Sequence, residues 1–397
     1  MSQKITAQTG ADYDNIIKNA DFSSIYRSRR EKVYAYLKEH DIAAVVFEDT
    51  ENAREPALRY LTGQPSDAVL VLTKSGKSYL SPWDENLAKE RAFADKVIPY
   101  STFGRAPTTA VAELLKEEGL AESDKKAVVE VSPSTTHLKF IKYTQDLGDF
   151  EVLCRNDSTH DYVVALRAVK DEYEIACTRK ACAITDCMTE VIVENVKTGK
   201  FYTETDVALF IERYLREQGC EKTSFDSLVA GPSRSFAIHA FPGYTGGQWG
   251  NHGLSILDYG VSYEGYASDC TITIARGPLN KEQEELLDLV QKAADECINL
   301  YKPGLPLNGP SLLADKIFSE AGKAMPHSLG HGTGLEIHEN PFLRVKTPGD
   351  QVFKPGNIVT LEPGLYYPEL GGTRLENDVL ITDDGNVVLT HSKIFRI

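Results

Sequence analysis

A thirteen-residue stretch at positions 327–339, HSLGHGTGLEIHE, contains three histidines, side chains that can bind a metal ion or transfer a proton near neutral pH. His327 and His331 are four residues apart, the spacing that places two metal ligands on one face of a helix. However, each glycine between these histidines and His338 weakens a helix by about 1 kcal/mol relative to alanine. The pattern therefore predicts an extended, bent segment in which His331 and His338 face one cavity.

Four carboxylates stand where strand-like sequence should bury apolar side chains. Asp258 ends an apolar run before a glycine turn, and Asp269 opens the next strand-like run eleven residues later, so a hairpin would bring the two together. Glu362 follows a strand-like run at a Pro-Gly corner, and Glu376 comes fourteen residues after it. Two turn-forming aspartates and an ion pair between Glu376 and Arg374 would explain these acids without an active site.

Taken together, the four carboxylates and one imidazole predict a site for two metal ions. Clustered carboxylates repel one another, and at least one would stay protonated without counter-ions. Two divalent cations balance four negative charges and lower the pKa of a bridging water. Oxygen-rich ligands favour manganese, cobalt, iron or zinc over a soft thiolate site. The seven cysteines contain no C-x-x-C pair and are typical of reduced thiols.

The elements that hold these side chains are predicted to form two domains, with a boundary near residue 160. Residues 1–160 alternate helix-like and strand-like runs, which predicts an α/β domain. Residues 161–397 begin with a long helical pattern, and strand-like runs then dominate 223–276 and the last part of the chain, which predicts an α+β domain with a mainly antiparallel sheet. Helices are predicted at about 24–40, 109–120, 136–147, 161–196, 205–218, 281–300 and 307–321.

Charge and hydropathy narrow the classes of partner. The 43 Lys and Arg residues against 58 Asp and Glu give a formal charge of −15, which repels nucleic acid phosphates, so no nucleic acid partner is expected. No run approaches the roughly 20 apolar residues that a membrane helix needs, so no membrane association is expected. The first residues show no basic segment followed by an apolar one, so we expect a cytoplasmic protein.

Several motifs resemble those of the "pita-bread" metallopeptidases, which include methionine aminopeptidase, aminopeptidase P, prolidase and the metal-free creatinase. The segment ALRYLTG at 57–63, preceded by Arg27–Arg30, is similar to the amino-terminal domain of the creatinase, prolidase and aminopeptidase P branch. The segment LRAVKDEYEI at 166–175 resembles the start of the catalytic domain. The resemblance implies a creatinase-like α/β domain over 1–160 and a catalytic pita-bread domain with a curved, mainly antiparallel sheet over 161–397.

The same resemblance implies a set of metal ligands, because all five ligand positions of the family are present. Asp258 would bind one ion, and Asp269 and Glu376 would bridge the two. His331 and Glu362 would complete the shell of the other ion. Two divalent ions are implied, manganese first, with cobalt, zinc or iron as alternatives.

Roles for the remaining residues also follow from the resemblance. Glu362 would serve as the general base that accepts a proton from the bridging water. His338 and His239 would contact the substrate and stabilise or protonate the tetrahedral intermediate, and His327 would contact the substrate. Arg374 would either contact the substrate or orient the carboxylates of the site.

Two features differ from the pattern of the family. Ile272 stands where an arginine is usual, a change that could reshape the site or its pH dependence, and the glycine-rich segment 241–251 is atypical, as are residues 83–85. The expected function is hydrolysis of Xaa-Pro bonds in dipeptides or short peptides by a prolidase-like homodimer. The alternatives are aminopeptidase P, a metal-dependent lyase or creatinase-type hydrolase, and a binding module without activity, against which the intact ligand set argues.

Overall fold

The computed structural model describes residues 4–6, 8–120, 126–240 and 252–397, which belong to two compact units. The first unit contains Ala20–Arg167, and the second contains Met1–Asn19 together with Ala168–Ile397. The division into domains at residue 160 stays a prediction beside this observation. None of the helices in the described ranges combines the length and the apolarity that crossing a membrane requires.

Helices and strands are numbered in chain order. The helices are α1 (Tyr13–Lys18), α2 (Phe22–Glu39), α3 (Pro56–Thr62), α4 (Glu85–Arg91), α5 (Pro107–Glu117), α6 (His137–Asp146), α7 (Thr159–Arg167), α8 (Glu172–Lys197), α9 (Glu204–Glu217), α10 (Lys281–Cys297) and α11 (Gly309–Glu320). The strands are β1 (Ala44–Asp49), β2 (Ala68–Thr73), β3 (Ser78–Pro82), β4 (Lys96–Val97), β5 (Val128–Val131), β6 (Glu151–Leu153), β7 (Lys222–Thr223), β8 (Leu228–Ala230), β9 (Gly253–Tyr259), β10 (Val261–Tyr263), β11 (Tyr266–Ala267), β12 (Cys270–Arg276), β13 (Gly330–Gly332), β14 (Glu339–Leu343), β15 (Ile358–Leu361), β16 (Gly364–Tyr367), β17 (Gly371–Arg374), β18 (Glu376–Ile381), β19 (Asn386–Val388) and β20 (Ile394–Arg396).

The unit Ala20–Arg167 is built on a six-stranded sheet with the order β4-β3-β2-β1-β5-β6. Strand β1 pairs antiparallel with β2 and parallel with β5, so the sheet is mixed. Val46, Val71 and Val129 of the sheet pack with Val111 of α5 and Tyr143 of α6 in one buried cluster. The predicted α/β class of the first half is confirmed.

The predicted long helix at 161–196 is wrong in one respect, because it consists of two helices, α7 and α8, that are interrupted after Arg167. Asp171 accepts a hydrogen bond from the backbone N–H of Glu174, and the Glu174 side chain accepts one from the backbone N–H of Asp171. This reciprocal capping satisfies backbone donors that have no partner within the helix. It therefore favours the start of a separate helix, α8, at this point.

The second unit contains a nine-stranded sheet whose main path is β14-β13-β15-β18-β12-β9-β8, with β19 beside β18 and β20 beside β12. The pairs along this main path are antiparallel. Helices α10 and α11 contribute to one hydrophobic cluster with the sheet, and α8 and α9 contribute to another. The predicted α+β class with a mainly antiparallel sheet is confirmed.

Strand alternation in β12 decides which side chains can reach the site. Cys270, Ile272 and Ile274 belong to the cluster formed with α8 and α9. Successive side chains of a strand point to opposite faces. Thr271 and Thr273 therefore face the other way, toward Arg374, whose backbone and side chain they contact.

Candidate active site

The register of three neighbouring strands aligns two of the predicted acidic ligands, Asp258 and Glu376, across the sheet. Asp258 of β9 lies opposite Thr271 of β12, and Thr271 lies opposite Glu376 of β18. The Thr271 hydroxyl donates to Oε2 of Glu376 at 2.7 Å and accepts a hydrogen bond from Nε of Arg374 at 2.9 Å. The strand pairing therefore holds two of the predicted ligands on either side of a threonine.

A histidine and two further acids complete this group from other segments. Nε2 of His331 in β13 lies 3.6 Å from Oδ2 of Asp269 and 3.7 Å from Oε1 of Glu362. These distances are longer than hydrogen bonds. Asp269, His331 and Glu376 are buried, and each offers one ligand atom within 4.8 Å of the other two, a spacing that could hold a metal ion.

The residues present fit a divalent cation by two further observations. Oδ1 of Asp258 and Oδ1 of Asp269 are buried without a hydrogen-bond partner among the described residues, although buried carboxylate oxygens are normally satisfied. Nδ1 of His331 lies 3.1 Å from the carbonyl oxygen of Gly332. If Nδ1 donates its hydrogen to that carbonyl, the lone pair of Nε2 remains for a metal.

The protonation of these groups shows what a cation would supply. Burial raises the pKa of Asp269 well above its ordinary value, and repulsion from Glu376 raises it further. Burial, followed by repulsion from Glu362, does the same to the pKa of Glu376. Burial raises the pKa of Glu362 to about 8 and lowers that of His331 to about 3. The raised pKa values mean that these three acids hold their protons to a higher pH than isolated carboxyl groups do, and bound cations would favour their ionised forms.

Arg374 is the positive charge that the protein itself places in the site. Its Nη2 lies 2.5 Å from Oδ2 of Asp258, and its Nη1 donates to the hydroxyl oxygen of Tyr366 at 2.7 Å. The ion pair between Arg374 and Glu376 that the sequence suggested is thus made with Asp258 instead. Sequence reasoning missed Tyr366 and Thr271, although Thr271 could have been found by counting alternate positions along β12.

Two further histidines have defined environments. The hydroxyl of Tyr366 lies 2.9 Å from Nε2 of His327, whose Nδ1 lies 2.8 Å from the carbonyl oxygen of Ser328. Burial lowers the pKa of His327 to about 4, and it also lowers the pKa of His338. The ring centroids of His331 and His338 are 4.3 Å apart. Because their pKa values are lowered, the imidazoles of His327 and His338 are neutral near pH 7.

All nine predicted site residues line one pocket of about 900 Å³. They are Asp258, Asp269, His331, Glu362, Glu376, His239, His327, His338 and Arg374. Side chains that sequence reasoning did not single out complete the wall, among them Asp226, Phe342 and Arg344. The atypical segment 241–251 lies outside the described residues. The pocket thus combines four histidines with five acids and two arginines, and Asp226 and Arg344 are the charged residues that the sequence did not single out.

Comparisons with known proteins show which families the two parts of the chain match. Residues 176–383 match Metallopeptidase family M24, and residues 29–152 match the Creatinase/Prolidase N-terminal domain. An Xaa-Pro dipeptidase of Pyrococcus horikoshii is 29% identical over 375 residues, which cover 93% of this chain and 98% of that protein. The predicted resemblance is confirmed.

Solved structures share the fold along almost the whole chain. The Xaa-Pro dipeptidase from Bacillus anthracis has a TM-score of 0.80 at 27% identity and covers 94% of this chain and 100% of its own. The X-Pro aminopeptidase from Thermotoga maritima has a TM-score of 0.80 at 23% identity, with 93% and 99% covered. The predicted two-part fold is thereby confirmed, and a dipeptidase and an aminopeptidase share it equally.

Proposed function

Because the chain belongs to metallopeptidase family M24 and is therefore a peptidase, we propose that it hydrolyses the Xaa-Pro bond of dipeptides, as prolidase does. The observation that carries this proposal is the pocket in which four buried ligand-type side chains and the half-buried Glu362 meet three further histidines. The 29% identity to the Xaa-Pro dipeptidase of Pyrococcus horikoshii, over 93% of this chain, supports the choice of bond.

The acids and His331 are the proposed ligands for two divalent cations. Asp258, Asp269, His331, Glu362 and Glu376 would hold them. When bound, such cations supply a water of lowered pKa and positive charge beside the scissile carbonyl. The mixed carboxylate and imidazole donor set supports manganese first, with cobalt, zinc or iron as alternatives.

Proton transfer is assigned to Glu362 and the histidines. The side chain of Glu362 is 16% exposed, so it remains accessible from the pocket, and it would accept the proton of the attacking water. His338 and His239 would donate hydrogen bonds to the carbonyl oxygen as negative charge develops on it. The proton on Glu362 would then pass to the proline nitrogen as the C–N bond breaks. Arg374 would keep Asp258 oriented.

The wall of the pocket supports a dipeptide as the substrate. Arg344 is exposed, and its guanidinium lies 4.2 Å from the ring centroid of Phe342. Asp226 is exposed on the same pocket wall. A zwitterionic dipeptide carries one carboxylate and one ammonium group, which are complementary to these two side chains. The apolar side chains of Phe342 and Ile337 would contact the proline ring.

The decisive experiment compares Xaa-Pro dipeptides with Xaa-Pro-Yaa tripeptides and their N-acetylated forms. Before each assay the protein is stripped with a chelator and reloaded with Mn²⁺ and, in parallel samples, with Co²⁺, Zn²⁺ or Fe²⁺. Cleavage of the free dipeptides alone supports the proposal. Cleavage of tripeptides alone would reassign the protein as an aminopeptidase, and no cleavage of either class with any of the four metals would refute Xaa-Pro hydrolysis.

We also propose that the protein is a cytoplasmic homodimer that acts on small peptides. The sequence resemblance supports the dimer, and the seven unpaired cysteines support a reducing compartment. Light scattering coupled to size exclusion measures the mass of the assembly, and fractionation of the producing cells measures its location. A monomer, or recovery outside the cytoplasm, would refute the respective part.

A further inference from the structure

A buried ion pair lies outside the pocket lining and has no part in the chemistry proposed above. Nζ of Lys170 is 2.7 Å from Oε1 of Glu339, and the two side chains are 0% and 4% exposed. Lysine and glutamate are almost never fully buried unless they are paired. Neither residue lines the pocket. Glu339 immediately follows His338 in the sequence and is not among the predicted site residues.

The position of Glu339 links it to the imidazole of His338. Glu339 is the first residue of β14 and pairs with Gly332 of β13, after an irregularity in register that follows His331. Adjacent side chains of an extended chain point in opposite directions. His338 lines the pocket, whereas Glu339 is held by Lys170 outside it. Anchoring Glu339 therefore fixes the backbone from which His338 projects.

The turn between β13 and β14 is shaped around the Glu339 carboxylate. A Cβ atom at Gly334 would lie 2.3 Å from Oε1 of Glu339, which is closer than such atoms approach. The carboxylate thus lies against the backbone of the turn 333–338, and glycine at position 334 makes room for it. The backbone N–H of Ala267 donates to the carbonyl oxygen of Gly334 at 2.8 Å, which holds the same point of the turn.

Lys170 is itself fixed by backbone contacts near another proposed ligand. Its N–H donates to the carbonyl oxygen of Gly356 at 2.9 Å, and Nδ2 of Asn357 donates to the carbonyl oxygen of Ala168 at 2.7 Å. Gly356 and Asn357 immediately precede β15, which ends one residue before Glu362. The lysine is thus attached to the segment that leads to the proposed general base.

We propose that Lys170 and Glu339 are a positioning pair that holds the turn 333–338 so that the imidazole of His338 faces the pocket beside His331. This inference rests on the proposed function, in which His338 contacts the reacting carbonyl oxygen. If the pair only stabilised the fold, its removal would lower the stability of the protein without changing the contribution of His338 to kcat.

The test is a double-mutant cycle on the metal-loaded enzyme. Glu339→Ala should lower kcat about 100-fold, the cost of a misplacement of about 1 Å, while Mn²⁺ affinity measured by calorimetry stays the same. In the His338→Ala background, Glu339→Ala should change kcat less than about twofold, because it acts through His338. An equal factor in both backgrounds, or unchanged kcat in folded Glu339→Ala, would overturn the proposal.

Conservative variants provide the controls. Glu339→Gln keeps the shape and one hydrogen-bond acceptor, and Lys170→Arg keeps the charge, so both should retain more of kcat than Glu339→Ala and Lys170→Met. All rates are measured well below the unfolding temperature of each variant, which is determined by circular dichroism. If the conservative variants lose as much kcat as the truncations, the geometry of the pair is not what His338 depends on.

A crystallographic readout separates this inference from the proposed function. If the wild-type enzyme cleaves no Xaa-Pro peptide, the proposed function fails, and the pair is judged from crystal structures of the wild type and Glu339→Ala. The ring centroid of His338 should then move by more than about 1 Å relative to His331, from the separation of 4.3 Å seen here. An unmoved ring would refute the positioning role.

Discussion

Removal of metal should make the stability of the protein fall as the pH rises, because the site would then hold four clustered acids with Arg374 as the one neighbouring cation, among the described residues, that is paired with any of them, and that ion pair is with Asp258. Burial raises the pKa of Glu362 to about 8, from an ordinary value of 4.5, and raises those of Asp269 and Glu376 in the same direction. A carboxyl group with a raised pKa in the folded state contributes stability below its unfolded pKa. This contribution is lost as the pH rises through the folded value.

The size of the effect follows from the pKa of Glu362. The difference between about 8 and 4.5, at about 1.4 kcal/mol for each pH unit, sets an upper limit of about 5 kcal/mol on its contribution. The side chain is 16% exposed, so water reduces this value, and about 3 kcal/mol is a working figure. For a unit of this size, about 3 kcal/mol corresponds to a change in Tm on the order of 10 °C.

The assay follows thermal unfolding of chelator-stripped protein between pH 5 and 8.5, with and without saturating Mn²⁺. Metal-free Tm should fall over this range, and the gain on adding Mn²⁺ should increase, because binding requires ionised carboxylates and releases protons. Glu362→Gln cannot ionise, so its metal-free Tm should fall less steeply than that of the wild type. If Tm changes equally with pH in the metal-free wild type and the variant, or if wild-type Tm rises over this range, Glu362 does not titrate in the way described.

Three further changes have defined outcomes. Asp378 accepts hydrogen bonds from the backbone N–H of Asp269 at 2.7 Å and from the Thr333 hydroxyl at 3.2 Å. Asp378→Asn should therefore weaken Mn²⁺ binding, measured by calorimetry, about 10- to 100-fold, and unchanged affinity would contradict this. Arg344→Gln should raise KM for Xaa-Pro dipeptides about tenfold, with kcat retained, because it removes the charge-assisted contact with the carboxylate of the dipeptide. Steady-state kinetics that show an unchanged KM would mean that Arg344 does not bind the substrate. Phe47→Ala should lower the free energy of unfolding by about 3–5 kcal/mol, since Phe47 is fully buried, without changing Mn²⁺ affinity. Denaturant titration measures the first quantity and calorimetry the second, and a loss of Mn²⁺ affinity in the folded variant would contradict this expectation.

Much of the site was predictable because its parts are local in sequence. Asp258 and Glu376 could be placed on strands from apolar runs, and the antiparallel register then aligns both with Thr271. The break before α8 was also readable, since Asp171 and Glu174 have the spacing of a capping box. The prediction of one long helix followed instead from the apolar periodicity, which continues from the residues before Asp171 into those after Glu174.

What the sequence did not reveal depends on contacts between distant segments. Asp258 precedes Arg374 by 116 positions, and Lys170 precedes Glu339 by 169. No periodicity or motif links such pairs, because each is decided by how strands and turns pack. A charged residue beside an acid in sequence, as Arg374 is beside Glu376, suggested the wrong partner for the same reason.

Strand alternation also limits what the substitution at Ile272 can do. Ile272 is fully buried in the cluster formed with α8 and α9, whereas its neighbours Thr271 and Thr273 contact Arg374 on the opposite face. An arginine at this position would begin inside that cluster rather than in the pocket, and a buried charge needs a partner there. The difference at position 272 therefore concerns how β12 packs on α8 and α9. Differences in substrate choice are better sought at pocket residues that are not proposed metal ligands, Phe342 and Arg344 among them.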